Sequence, residues 1–177
     1  MHCGYQSQDW TAQDRFVAET LKFSRDGYFL DVGCHHYMSI SNTYFLEKEL
    51  NWKGVAVDLD CNFGRDWQTH RPNSMFVCGD AVSMNYKNLL EENNAPKVID
   101  YLSVDIAPPY NTFLALKNIM NTDYTFKIIT FETEQHQNLD MRPRDESRAL
   151  LPQKGYKFIK EVVQDDFWIH SDYIHLL

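Results

Sequence analysis

The feature that most restricts how this chain can fold is an alternation. Short runs rich in Val, Ile, Tyr and Phe, several closing on an acid or a glycine, are separated by segments with helical spacing. The strand-like runs cover residues 28–32, 55–59, 74–78, 98–104 and 124–132. Between them, helices are expected from a cap at Ser41 or Asn42 to about Leu50, weakly over 62–70, over 86–92 and over 111–120. Pro108 and Pro109 delay the last of these without breaking it, because the first N–H groups of a helix need no intrahelical carbonyl. Glu47 and Lys48 are expected to face solvent, and residues 51–54 to turn the chain into the second strand. Such repetition dictates right-handed crossovers and a mostly parallel sheet.

Both ends extend this pattern. An amphipathic helix over 9–22 is expected first, capped by Asp9 or Thr11, with Trp10, Phe16, Val17 and Leu21 as its apolar stripe. A helix over 144–153 follows the fifth strand. Strands over 156–163 and 167–175 then meet at an acidic Gln164–Asp165–Asp166 turn, which predicts an antiparallel hairpin. The expected class is α/β, as one domain over residues 1–177: the length suits one core, and no repeat or linker divides it.

Composition narrows the function classes. Hydrophobic residues make up 44% of the chain, yet no stretch approaches the roughly 18 apolar residues of a membrane span. The first ten residues lack the basic start and apolar run of a secretory signal, so no membrane association and a cytoplasmic location are expected. A formal charge of −8 repels phosphate backbones, and the short basic groups at Arg142, Arg144 and Arg148 are interleaved with acid; nucleic acid is an unlikely partner. Cys3, Cys34, Cys61 and Cys78 form no CxxC, which argues against a thiolate zinc site, and Cys34 and Cys78 read as small buried side chains at strand ends.

Open α/β sheets bind ligands outside the carboxyl ends of their strands. Here Asp31 to Gly33, Asp58, Asp80 and Asp105 stand at or just beyond four successive strand ends, and Glu132 closes the fifth. Gly33 allows close backbone approach to a ligand, or simply makes a turn. Asp58 or Asp60 can accept hydrogen bonds from two ribose hydroxyls, and Asp80 can receive an adenine amino group or cap the next helix. The first loop lacks GxGxxG, which weakens a nicotinamide reading.

The runs Gly27-Tyr28-Phe29-Leu30-Asp31-Val32-Gly33 and Ser41-Asn42-Thr43-Tyr44-Phe45-Leu46-Glu47-Lys48 carry a further likeness. With Asp80-Ala81-Val82-Ser83, Ile99-Asp100-Tyr101-Leu102-Ser103-Val104-Asp105 and Ile128-Ile129-Thr130-Phe131-Glu132, the chain resembles the FkbM-type methyltransferases from about Ser7 to its C-terminal hairpin. The resemblance implies a Rossmann-like class I methyltransferase fold, S-adenosyl-L-methionine as donor, and O-methylation of a small-molecule or saccharide-like acceptor. It implies donor contacts at Asp31, Gly33, Asp58, Asp80 with Ala81, and Asp105, the last beside the reaction site. Where the family has a further small residue and glycine, this chain has Cys34-His35-His36-Tyr37-Met38; where it has Glu-Gly and an acid, this chain has Ile106-Ala107-Pro108-Pro109-Tyr110. Those departures motivate an alternative, a catalytically silent methyltransferase-like binding or assembly module.

Methyl transfer needs an acceptor in line with the sulfur–methyl bond, and an acceptor carrying a proton needs a base. Asp105, His136, Glu132 and His36 are the candidates. Their structural alternatives are loop filling for His36 and its neighbour His35, turn capping for Glu132, and plain exposure for His136. A divalent metal on Asp105, Glu132 and His136 is chemically possible but not favoured, so no metal site is assigned. Tyr37, Tyr110 and Trp168 are candidate pocket walls, but most of the 11 Phe, 10 Tyr and 4 Trp must pack a core.

Overall fold

The computed structural model describes residues 3–7, 11–133 and 140–177. Seven strands form one sheet: β1 (Tyr28–Val32), β2 (Lys53–Asp58), β3 (Ser74–Cys78), β4 (Val98–Val104), β5 (Thr125–Glu132), β6 (Tyr156–Val162) and β7 (Asp165–His170). Their order is β3-β2-β1-β4-β5-β7-β6. The pairs among β1 to β5 are parallel, while β7 runs antiparallel to both β5 and β6. The mostly parallel sheet with an antiparallel C-terminal hairpin is thus as expected, and β7 sits inside the sheet with β6 at its edge.

Strand alternation divides the core between two faces. Leu30, Val32, Val55, Val57, Leu102 and Val104 pack under α4 (Tyr86–Glu92), α5 (Pro109–Ile119) and α6 (Arg142–Gln153), through Leu89, Leu90, Phe113, Leu116, Ile119 and Leu151. Phe29, Tyr101, Ile128 and Ile169 point the other way, against α1 (Gln13–Thr20) and α2 (Tyr44–Leu50), while α3 (Gly64–His70) sends Trp67 onto Ala56. Full burial of each large apolar side chain contributes about 1.5–3 kcal/mol, so both layers hold the sheet.

Several local expectations change. The first helix begins at Gln13, four residues later than expected, because Ala12 takes a left-handed conformation (φ 49°). Ser7 acts as an outside cap: its Oγ accepts the Asp14 N–H (2.9 Å), while the Asp14 carboxylate accepts the N–H groups of Gln6 (2.6 Å) and Ser7 (3.2 Å). Of the two expected caps, Asp9 lies outside the described residues, as does the stripe residue Trp10. Thr11 stands one residue before the cap position at Ala12, its hydroxyl donating to Gln13 Oε1 at 2.5 Å. The second strand begins at Lys53, so Gly54 is a strand residue; a Cβ there would lie 2.3 Å from the Phe29 carbonyl oxygen. Glu47 does not face solvent but is 3% exposed and pairs with Arg71.

At the far end, Asp165 and Asp166 belong to β7 and are buried, not part of an exposed turn. Arg148 offsets the burial of Asp166 through two bonds of 2.8 and 2.7 Å. The strand ends at His170, where residues Ser171–Leu176 wind into a 3-10 helix, five residues short of the expected end at His175. Cys34 is buried as expected, whereas Cys78 is exposed and forms a disulfide with Cys61 across a Cα separation of 5.0 Å. That bond ties the chain after β2 to the end of β3.

Candidate functional site

The strand order reverses between β1 and β4, whose crossovers depart to opposite faces. That is where an open α/β sheet leaves a crevice. A cleft of about 400 Å³ occupies this position, within the usual range for small-ligand sites. It is lined by Asp31 and Gly33 of the β1 end, Asp58 and Leu59 of the β2 end, Asp80 and Ala81 after β3, and Asp105 to Ala107 after β4. All six residues expected to contact a cofactor therefore meet in one cleft. Ile40, Asn42 and Asn111 also line it, and no sequence pattern singled them out as ligand contacts.

Gly33 has φ +85°, and a Cβ on it would stand 1.7 Å from the Asp105 carbonyl oxygen and 2.8 Å from Ile106 Cγ2. Its lack of a side chain brings the β1 and β4 ends together. Gly33 N–H donates to the Val57 oxygen and Asp105 N–H to the Val32 oxygen, both at 2.9 Å, so the cleft floor is continuous backbone. Past Asp105, the loop is pinned by buried Thr112, whose hydroxyl donates to the Ile106 carbonyl at 2.6 Å.

The four aspartates differ in environment. Asp31 is 2% exposed and accepts a 2.7 Å bond from the Thr43 hydroxyl. Burial pushes its carboxyl up to about 6; Thr43 and Arg71 oppose that rise, and Asp105 and Asp58 add to it. Asp58 Oδ2 accepts the His35 N–H at 2.8 Å and its Oδ1 the Asp60 N–H at 2.9 Å. Asp80 caps its own turn through Val82 N–H (2.9 Å) and the Ser83 hydroxyl (3.0 Å). Each carboxylate oxygen has two lone pairs, so these bonds leave acceptor capacity toward the cleft.

The other candidates lie elsewhere. Exposed His35 lines the cleft, but His36 does not. His36 Nδ1 accepts the N–H groups of Met38 (3.1 Å) and Ser39 (3.0 Å), which puts the proton of the neutral ring on Nε2. Glu132 is buried at the end of β5, opposite Asp165, and accepts a hydrogen bond from the Gln164 amide. His136 lies outside the described residues. Among the described residues, no group of three His, Cys, Asp or Glu side chains is placed to hold a metal ion. Tyr37 stacks on His70 (4.4 Å between centroids), Tyr110 bonds Glu146 beneath the Arg142 guanidinium, and Trp168 belongs to the core.

Sequence reasoning missed Asp165. Burial and the neighbouring Asp105 charge push its carboxyl up to about 7, while Gln13 opposes the rise. Its place in an acidic stretch suggested a solvated turn, and only the antiparallel insertion of β7 buries it. No helix among the described residues is long and apolar enough to cross a membrane.

No family model and no curated protein matches this chain. Solved structures do. A candidate rRNA methylase from Clostridium thermocellum is 12% identical, with a TM-score of 0.59 over 93% of this chain and 96% of its own. A TehB-like SAM-dependent methyltransferase from Corynebacterium glutamicum is 14% identical, with a TM-score of 0.53 over 89% and 84%. Fibrillarin from Aeropyrum pernix, solved with natively bound S-adenosyl-L-methionine, is 12% identical, with a TM-score of 0.53 over 96% and 83%. The FkbM-type resemblance is corrected by these findings: no family model supports it, and the likeness extends across methyltransferases of different kinds. The chain has the Rossmann-like class I methyltransferase fold, without assignment to one family within it.

Proposed function

We propose that the cleft binds S-adenosyl-L-methionine and that the protein transfers its methyl group to an oxygen of a small-molecule or saccharide-like acceptor. One observation carries this reading. Four aspartates from four successive strand ends converge on one cleft, and its described lining contains no lysine or arginine. Such a lining repels the pyrophosphate of a dinucleotide and attracts a ligand bearing sulfonium and ammonium charges. The methyltransferase likeness of the fold supports the same choice.

The bound donor supplies an electrophilic methyl group. Asp58 has spare acceptor positions for ribose hydroxyls, and Asp80 with Ala81 borders the adenine side. Asp31 and the bare backbone at Gly33 hold the opposite end. Asp105, beside the point where β1 and β4 meet, is assigned to the reacting end, where its carboxylate can orient an acceptor hydroxyl and take its proton. Glu132, at the β5 end of the same rim, remains a candidate, and His136 remains one on sequence grounds alone.

Titration calorimetry with S-adenosyl-L-methionine and S-adenosylhomocysteine tests donor binding, with micromolar affinity expected. No heat at ligand concentrations far above that range removes the proposal. A second reading, a silent binding module, is favoured by the residues after Gly33 and Asp105, where Cys34, His35, Ile106 and Ala107 line the cleft. Donor binding without S-adenosylhomocysteine formation across broad acceptor classes selects it.

A further inference from the structure

Arg71, at the end of α3, is 0% exposed, and its guanidinium is committed in several directions. Nε donates to Glu47 Oε2 at 2.6 Å, Nη1 to the Tyr37 carbonyl at 2.9 Å, and Nη2 to the Thr43 hydroxyl at 3.0 Å. Nη1 also lies 3.4 Å from the Ser41 hydroxyl, and the group stacks 4.2 Å from the Trp67 ring centre. The Thr43 hydroxyl donates onward to Asp31 Oδ2. A continuous chain of bonds, Glu47–Arg71–Thr43–Asp31, thus runs from the interior of α2 to the cleft floor.

Two features set this chain apart from ordinary packing. Buried ion pairs are often replaceable by apolar groups without loss of stability, so a fully buried guanidinium is not called for by packing. Moreover, it ends on both parts of the cleft wall. Tyr37 and Ser41 belong to the loop that delivers His35, Ile40 and Asn42 to the cleft, and Asp31 is the acid of its first strand. The groups acting on Asp31 are Thr43 after that loop, Asp58 at the β2 end, Asp105 after β4 and Arg71 after α3. Cys34 in the loop and the Tyr101 phenol of β4 also feel the Asp31 charge. In this set Arg71 is the cation.

We propose that Arg71 is a positioning residue of the donor site, orienting the Asp31 carboxylate through Thr43 and holding the 34–42 loop over the cleft. This rests on the donor-binding reading above. Asp31 already titrates well above an ordinary aspartate, so loss of the guanidinium charge raises it further and leaves less carboxylate to meet a cationic ligand at neutral pH.

The test uses Arg71→Gln, which removes charge, Arg71→Lys, which keeps charge but loses the fork, and Thr43→Val, which cuts the relay but leaves the Arg71–Glu47 pair. The Asp31 carboxyl-carbon titration is followed by NMR, and S-adenosylhomocysteine affinity by calorimetry between pH 5 and 8. In Arg71→Gln and Thr43→Val, the Asp31 midpoint and the acid limb of affinity are expected to move up together by about one pH unit. Arg71→Lys should keep the limb near its wild-type place while weakening affinity. Folded variants with an unchanged midpoint, or a shifted midpoint with unchanged affinity, overturn the proposal. If Arg71→Gln does not fold, Thr43→Val decides by the same readings. A wild-type protein that binds no S-adenosylhomocysteine refutes the donor reading and the donor-site role together, while the Asp31 midpoint still reports whether Arg71 controls that carboxyl.

Discussion

Replacing Gly33 with alanine probes the closest approach in the cleft. Alanine at φ +85° carries the left-handed cost of about 1–2 kcal/mol for a residue with a Cβ. Its methyl would also stand 1.7 Å from the Asp105 carbonyl oxygen, so one of the two strand ends must retreat by on the order of 1 Å. Retreat strains the bonds from Gly33 to Val57 and from Asp105 to Val32, at about 1 kcal/mol for each lost. The total is about 3–4 kcal/mol, which in a chain of this size lowers Tm by roughly 6–16 °C. Urea melts followed by circular dichroism should show a lower midpoint with unchanged slope. Below the melting range, the variant should bind S-adenosylhomocysteine at least about tenfold more weakly, because the cleft floor has moved. Gly33→Asn separates the two causes: asparagine tolerates the left-handed backbone but still brings a Cβ. Alanine and asparagine variants that both melt and bind like the wild type would refute the close approach of β1 and β4.

Four further perturbations have definite signs. Asp105→Asn should lower turnover about 100-fold or more, beyond its loss of donor affinity, whereas Asp58→Ala should weaken donor binding about 10- to 100-fold; initial rates and calorimetry separate them. The Asp165 carboxyl is raised from 3.8 to about 7, so the folded state binds its proton more tightly than the unfolded chain does. That contribution favours the fold at low pH and is lost as pH rises through the window from 3.8 to about 7. Asp165→Asn should therefore flatten the decline of Tm between pH 5 and 8, and an unaltered slope contradicts the assignment. Reduction of the Cys61–Cys78 disulfide should yield two titratable thiols and lower unfolding free energy by up to about 3 kcal/mol, given its 17-residue separation. Double Ser substitution at these positions, compared under oxidising conditions, checks the same figure.

The sheet was legible because its inner strands β1, β2, β4 and β5 are largely buried on both faces and read as nearly continuous apolar runs between turn residues. At the edge, β3 keeps the same kind of run though only partly buried. Positions 28–32, 74–78 and 98–104 coincide with observed strands. The six cofactor candidates converge for a related reason: in a parallel sheet, every strand end falls on one rim. What stayed hidden is long-range and polar. Glu47 has the periodicity of a surface acid, and nothing local announces that Arg71, 24 residues away, will reach it. Asp165 and Asp166 look like a turn until β7 enters between two strands. The Cys61–Cys78 pairing depends on β2 and β3 ending side by side, with Asp58 opposite Cys78, a register no spacing rule encodes.

The interior place of β7 also bears on how the protein comes to be made. Chain synthesis delivers β6 before β7, yet β6 has no partner in the sheet until β7 has paired with β5. Until residue 170 is available, the growing chain presents residues 128–132 of β5 as an open, apolar edge able to accept a foreign strand. Closure of this side of the sheet therefore waits for β7 and joins Ile128 to Ile169 and Glu132 to Asp165, a non-local step that is intrinsically slow. In that interval the unpaired β5 edge is open to aggregation, a hazard that ends when β7 docks.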